Sequence, residues 1–125
     1  MALPNAYKAY ANNKLMTSSP EQLTLMLYDG AIKFTNIAID AIENKSYQKA
    51  NIYIQKTEKI IEEFRATLDF KYPVAQEFEN VYKMLANKLL YANIRKDPEV
   101  LRNVLVHLRT MRNTWEEVMK LAKKQ

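Results

Sequence analysis

Cysteine is absent from the chain, which excludes disulfides and thiolate metal sites. Glycine occurs once, at Gly30, so no glycine-rich loop can cradle a phosphate. Proline is scarce too, at Pro4, Pro20, Pro73 and Pro98. Glycine and proline are the strongest interrupters of regular structure, so long unbroken segments are expected between them. No run of about 18 apolar residues occurs, and a membrane-spanning helix is not expected. The leading sequence MALPNAYKAYANN also lacks the apolar stretch of a signal peptide. Without cysteine or leader, the chain reads as cytoplasmic.

What is present fits one folded domain: 125 residues, 48% hydrophobic and 26% charged. The net charge of +5 is unevenly placed. Residues 95–125 hold eight basic and four acidic groups. On the last predicted helix Arg102, Arg109 and Lys120 share one side, with Glu116 close by. This is either a solvated face or a surface for nucleic acid or acidic membrane. No glycine-rich or aromatic RNA-binding motif supports the second reading.

Start and stop signals divide the chain into four helices. In SSPEQL, Ser18 or Ser19 can cap, Pro20 suits the first helical position and Glu21 the first turn. The first helix then runs to about Glu43, and Asn44, Lys45 and Ser46 connect it to the second, about Tyr47 to Leu68. Pro73 disfavours a helical Tyr72, so a third helix starts near Val74 and runs to Arg95. Asp97 caps a fourth, with Pro98 at its first position, ending near Lys123. Long helices of matched length joined by short turns pack antiparallel. The expected fold is all-α, an up-down-up-down four-helix bundle over residues 19–125, with a loosely attached N-terminal lid segment over residues 1–18.

The 3.6-residue period assigns the core. The first helix presents Leu23, Leu27, Phe34, Ala38 and Ala41. The second presents Ala50, Ile54, Thr57, Ile61, Phe64 and Leu68. The third presents Val74, Phe78, Val81, Leu85, Leu89 and Ala92. The fourth presents Leu101, Val104, Leu108, Met111, Trp115 and Val118, with Trp115 as an anchor.

Subtracting that core leaves a surplus. The first helix retains a second stripe, Leu25, Tyr28, Ile32 and Ile39. The second retains Tyr53 and Ile60, with Ile52 behind. The third retains Met84, Leu90, Tyr91 and Ile94, and the fourth little beyond Val106 and Leu121. A bundle helix normally has one apolar stripe, and leaving such rows wet costs a few kcal/mol. Three covers suit them: a first helix touched on both sides, the N-terminal segment with Tyr7, Tyr10 and Leu15, or a partner chain. Grooves with tyrosine and methionine walls suit an incoming amphipathic helix.

Catalysis is not expected. His107 is the only histidine, so the paired Glu-x-x-His set of a di-iron bundle is missing. The predicted inward positions carry no carboxylate. Asp29 reads as a surface group and His107 as a structural one. No metal site and no cofactor are expected.

The N-terminal tyrosine pair followed by SPEQLTLMLYDGAIKF resembles the flagellin-specific export chaperone family, FliS. FTNIAI, Leu68-Asp69, Val81-Tyr82 with LLYAN below it, and LRTMRNTW also fit, so the likeness covers essentially the whole chain. The resemblance implies an antiparallel helical bundle that binds the disordered C-terminal region of flagellin. It implies that filament assembly in the cytoplasm is blocked until type III export. It implies an N-terminal segment lying over part of the client surface, a role that falls on Tyr7 and Tyr10. The flagellar export gate and other flagellar regulators are further candidate partners; nucleic acid is not.

Overall fold

A computed structural model of the chain describes residues 20–123. They form α1 (Pro20–Glu43), α2 (Tyr47–Ala66), α3 (Ala75–Arg95) and α4 (Pro98–Lys123). Each helix packs on the two beside it in a ring, α1 on α2 and α4, and α3 on α2 and α4. Diagonal pairs stay apart at the backbone, and the two seams of α1 are more extensive than the two of α3. This is the expected up-down-up-down bundle.

The turns at one end of the bundle share a design. Lys45 and Lys96 adopt positive φ, 59° and 50°. The next amide reaches back five residues, Ser46 N to the Ala41 carbonyl at 2.7 Å and Asp97 N to the Ala92 carbonyl at 3.1 Å. These are helix stops that glycine normally serves, here built on lysine. The Asp97 carboxylate then accepts from the Glu99 amide at 2.9 Å and the Val100 amide at 3.4 Å, opening α4 as expected. At the other end α2 stops at Ala66, two residues short of Leu68. The Thr67 hydroxyl donates to the Glu63 and Phe64 carbonyls at 3.0 and 3.2 Å, a local bond that competes with continued helix. Val74 is the N-cap of α3 rather than its first residue. The capping roles of Ser18 and Ser19 lie outside the described residues.

The two apolar stripes of α1 turn out to be the flanks of one face. Between them, at about 100° per residue, lie Ala31, Thr35 and Ile42, all buried. The buried arc covers about half the helix. Asp29 and Glu43 border the second stripe and pair with Arg112 and Arg102 of α4, so that stripe faces α4. Tyr28 and Ile39 are buried; for them the cover is α1 being touched on both sides. On α2, Ile60 is fully buried as well.

Three expected core residues are largely exposed: Val74, Phe78 and Val118. Val74 precedes its helix. Phe78 sits in the first turn of α3 at the rim, its ring stacked on Tyr82 at 6.4 Å. Lys88 hydrogen-bonds Asn103, so in the antiparallel register Ala75 lies opposite residue 116, and Val118 projects past the start of α3. Trp115 is partly buried against the core, and its indole N–H donates to the Glu21 carbonyl at 3.0 Å.

Candidate interaction surface

Once the bundle has closed, the apolar surplus is concentrated at two places, with Tyr47 and Ile52 on α2 and Val106 on α4 exposed apart from them. The first is the outer face of α3 near its C-terminus, where Leu90 is 54% exposed, Tyr91 48% and Ile94 72%. The second is the opposite end of the bundle. There Phe70 (58% exposed) and Tyr72 (65%) stand on the α2–α3 connection beside Val74, and α4 ends with exposed Val118 and Leu121. The helix period gave no reason to single out Phe70 and Tyr72. Their signal was the DFKYP sequence itself, two large aromatics held in a turn, where a packed helix face is not available to bury them. The turn is local: the Lys71 amide donates to the Asp69 carboxylate at 3.0 Å and the Tyr72 amide to the Asp69 carbonyl at 3.2 Å.

Beside the α3 group runs a shallow groove of about 430 Å³ between α3 and α4. Tyr91 and Val100 form its apolar walls, with Asn87, Lys88, Glu99 and Asn103 around them. The Arg95 guanidinium lies 5.5 Å from the Tyr91 ring centroid and steadies that ring. A second groove, of about 590 Å³, lies on the α2–α3 side and sets Ala66 and Phe70 among charged side chains. It is crossed by Arg65, which reaches Glu79 at 2.7 and 2.9 Å.

The sequence-predicted contact residues thus divide. Leu90, Tyr91 and Ile94 form one exposed group. Leu25, Ile32, Tyr53 and Met84 are partly buried at helix edges; Tyr53 packs on Phe34 at 5.7 Å under Lys56. Tyr28, Ile39 and Ile60 are corrected to core. Packing explains it, since a partner could reach them only by opening the bundle. Tyr28 in particular shares a 2.8 Å hydroxyl hydrogen bond with Tyr82 and packs tilted against Phe64 at 4.4 Å. Burial, above all, pushes both phenols above their ordinary range. Tyr7, Tyr10 and Leu15 lie outside the described residues.

The basic side of α4 is partly neutralised from within. Arg102 binds Glu43 at 2.8 Å and also Glu99, and Lys120 lies 3.8 Å from Glu116. Arg112, on the α1 side, binds Asp29 at 2.9 Å and Glu116 at 3.1 Å. Such pairing takes up Arg102 and Arg112, while Arg109 and Lys120 stay exposed. Among the described residues no group of histidine, aspartate and glutamate could hold a metal ion, and no helix is long and apolar enough to cross a membrane.

Comparison with known proteins agrees with this architecture. The family model for flagellar protein FliS matches residues 3–122. The flagellar secretion chaperone FliS of Bacillus subtilis (strain 168) is 33% identical over 99% of this chain and 93% of its own length. The protein of the same name from Campylobacter jejuni is 29% identical, covering 90% of each. A crystal structure of a bacterial flagellar chaperone superposes with a TM-score of 0.76 at 17% identity, over 92% of this chain and 95% of the other; that likeness supports the fold. The relatives are chaperones, a role without bond-making chemistry, and this protein is not an enzyme. With the motifs, the four-helix bundle and these matches in accord, the chain belongs to the FliS family of flagellar secretion chaperones.

Proposed function

We propose that this protein is a cytoplasmic export chaperone that holds the disordered C-terminal region of flagellin on its apolar surface. The client is kept from assembling until the flagellar type III apparatus takes it, with the export gate as the receiving partner. The observation that carries the reading is the outer face of α3, where Leu90, Tyr91 and Ile94 stay wet beside the α3–α4 groove after the bundle has closed.

Magnitudes favour a long client. Covering the exposed parts of three such side chains contributes about 1 kcal/mol each. A micromolar complex needs about 8 kcal/mol in all, and a disordered segment must also offset its own ordering entropy. One patch is therefore too little. The Phe70 and Tyr72 end supplies more, and from Val74 to Ile94 the rise is about 30 Å at 1.5 Å per residue. A client of about 20 helical residues covers both. Leu25, Ile32, Tyr53 and Met84 contribute edges. Residues 1–18, through Tyr7, Tyr10 and Leu15, act as a removable lid over part of this surface.

Calorimetric titration with flagellin tests the reading. One-to-one binding to the full-length client, lost when its C-terminal region is deleted, is the expected result. Equal affinity for the intact and truncated clients sinks it.

A further inference from the structure

The docking face proposed above carries a charge bias. From Asn80 to Arg95, α3 holds Lys83, Lys88 and Arg95, followed by Lys96, and no aspartate or glutamate. Elsewhere the bundle pairs its interhelical arginines internally: Arg65 with Glu79, Arg102 with Glu43, Arg112 with Asp29. Among the described residues, none of the four α3 cations stands in an ion pair. Three of them have neutral partners. Lys88 donates to Asn103, Lys96 to the Asn93 carbonyl and side-chain oxygen at 2.6 and 2.7 Å, and Arg95 stacks on Tyr91. These neutral partners hold Lys88, Arg95 and Lys96 in place without pairing their charge.

Lys83 lies in line with the apolar residues, toward the start of α3, and Lys88 and Arg95 border them on one side. At about 100° per residue, Lys83, Leu90 and Ile94 fall within an arc of about 40°, and Tyr91, Arg95 and Lys88 within a neighbouring arc of about 60°. The carboxylates of the adjoining helices that share a groove with these cations are Glu99, beside Lys88, and Glu62, beside Lys83. Glu99 on α4 is bound to Arg102, and Glu62 on α2 lies in the lower groove with Arg65 and Lys83.

We infer that the outer face of α3 accepts an acidic amphipathic segment, with apolar residues covering Leu90, Tyr91 and Ile94 and carboxylates meeting Lys83 in line with them and Lys88 and Arg95 along one flank. This rests on the client-docking reading of the same face and adds the chemistry that selects the segment. Exposed ion pairs are individually weak. Their effect lies in selection, since a like-charged segment is repelled where an acidic one is steered in.

The test uses the full chain and two labelled peptides of about 20 residues, ~30 Å as helices. They share one apolar stripe, flanked by glutamate in one and lysine in the other, and are followed by fluorescence anisotropy. At about 0.01 M ionic strength the glutamate peptide should bind about tenfold more tightly. The gap should close near 1 M, where the screening length falls from about 30 Å to about 3 Å. The double variant Lys83→Glu/Arg95→Glu, at exposed positions, should reverse the order. Equal binding of the peptides, or an unreversed order in the double variant, overturns the inference. So does capture of the chain by phosphatidylglycerol vesicles without peptide preference, or a dimer that buries the same residues. Ile94→Asp separates the two levels. If it abolishes flagellin binding while the peptides show no preference, the charge rule fails and the docking face stands. If flagellin binding survives Ile94→Asp, the docking face itself fails.

Discussion

Tyr28 and Tyr82 show how one pair of side chains can be removed from the binding repertoire. Their hydroxyls meet at 2.8 Å across the diagonal of the bundle, and both rings pack against Phe64, at 4.4 and 5.5 Å. Each phenol satisfies the other, so each single phenylalanine substitution strands a buried hydroxyl. Tyr28→Phe and Tyr82→Phe should each cost about 1–3 kcal/mol in urea denaturation, and the double variant less than their sum. Additive losses would mean that the hydroxyls do not depend on one another. The pair also sets a pH dependence. Burial raises both phenols in the folded state above their ordinary value of 10.0, so only the unfolded chain ionises readily. The stability they contribute is complete below pH 10 and is lost as pH rises above it. Denaturation curves between about pH 9 and about pH 11 should fall more steeply for the native chain than for the double phenylalanine variant.

At the scale of elements, the helix stops offer the cleanest stability test. Lys45 adopts φ 59° on an exposed turn, a conformation that costs an ordinary residue about 1–2 kcal/mol. Lys45→Gly removes that cost and gives back part of it as unfolded-state entropy. A net gain of about 0.5–1 kcal/mol is expected in thermal or urea denaturation, and a loss would mean that the lysine side chain matters to the turn. On the α2–α3 seam, Arg65→Ala leaves the Glu79 carboxylate, only 12% exposed, without its partner. A loss of about 1–2 kcal/mol is expected, below that of a fully buried pair because the arginine side chain is 36% exposed. The helix count and most boundaries were legible because Pro20, Asp97 and Pro98 mark their places by backbone chemistry. The arc of α1 was not. Ala31 and Thr35 join its two stripes, and both are too small or too polar to register as apolar signal. The early end of α2 depended on a single hydroxyl at Thr67, and the exposure of Val118 on a register between α3 and α4 that no local pattern encodes. The candidate surface was legible in the same uneven way. Leu90, Tyr91 and Ile94 stood out as surplus on α3, whereas Tyr28, Ile39 and Ile60 stood out equally and proved to be core. Periodicity reports which face is apolar, and only the packing partner decides whether that face is sealed.

For the whole molecule, the central claim is a division of labour. All four helices supply the core, and α3, with the less extensive seams, also carries the apolar face proposed for the client. Ile94 is the most exposed apolar side chain of that face, so charging it disturbs docking without touching the interior. The decisive measurement is the affinity of Ile94→Asp for full-length flagellin by calorimetry, with far-UV circular dichroism run alongside. Unchanged helicity with binding weakened at least about tenfold, roughly 1.4 kcal/mol, is the result this account predicts. Native affinity in a folded Ile94→Asp variant would contradict it.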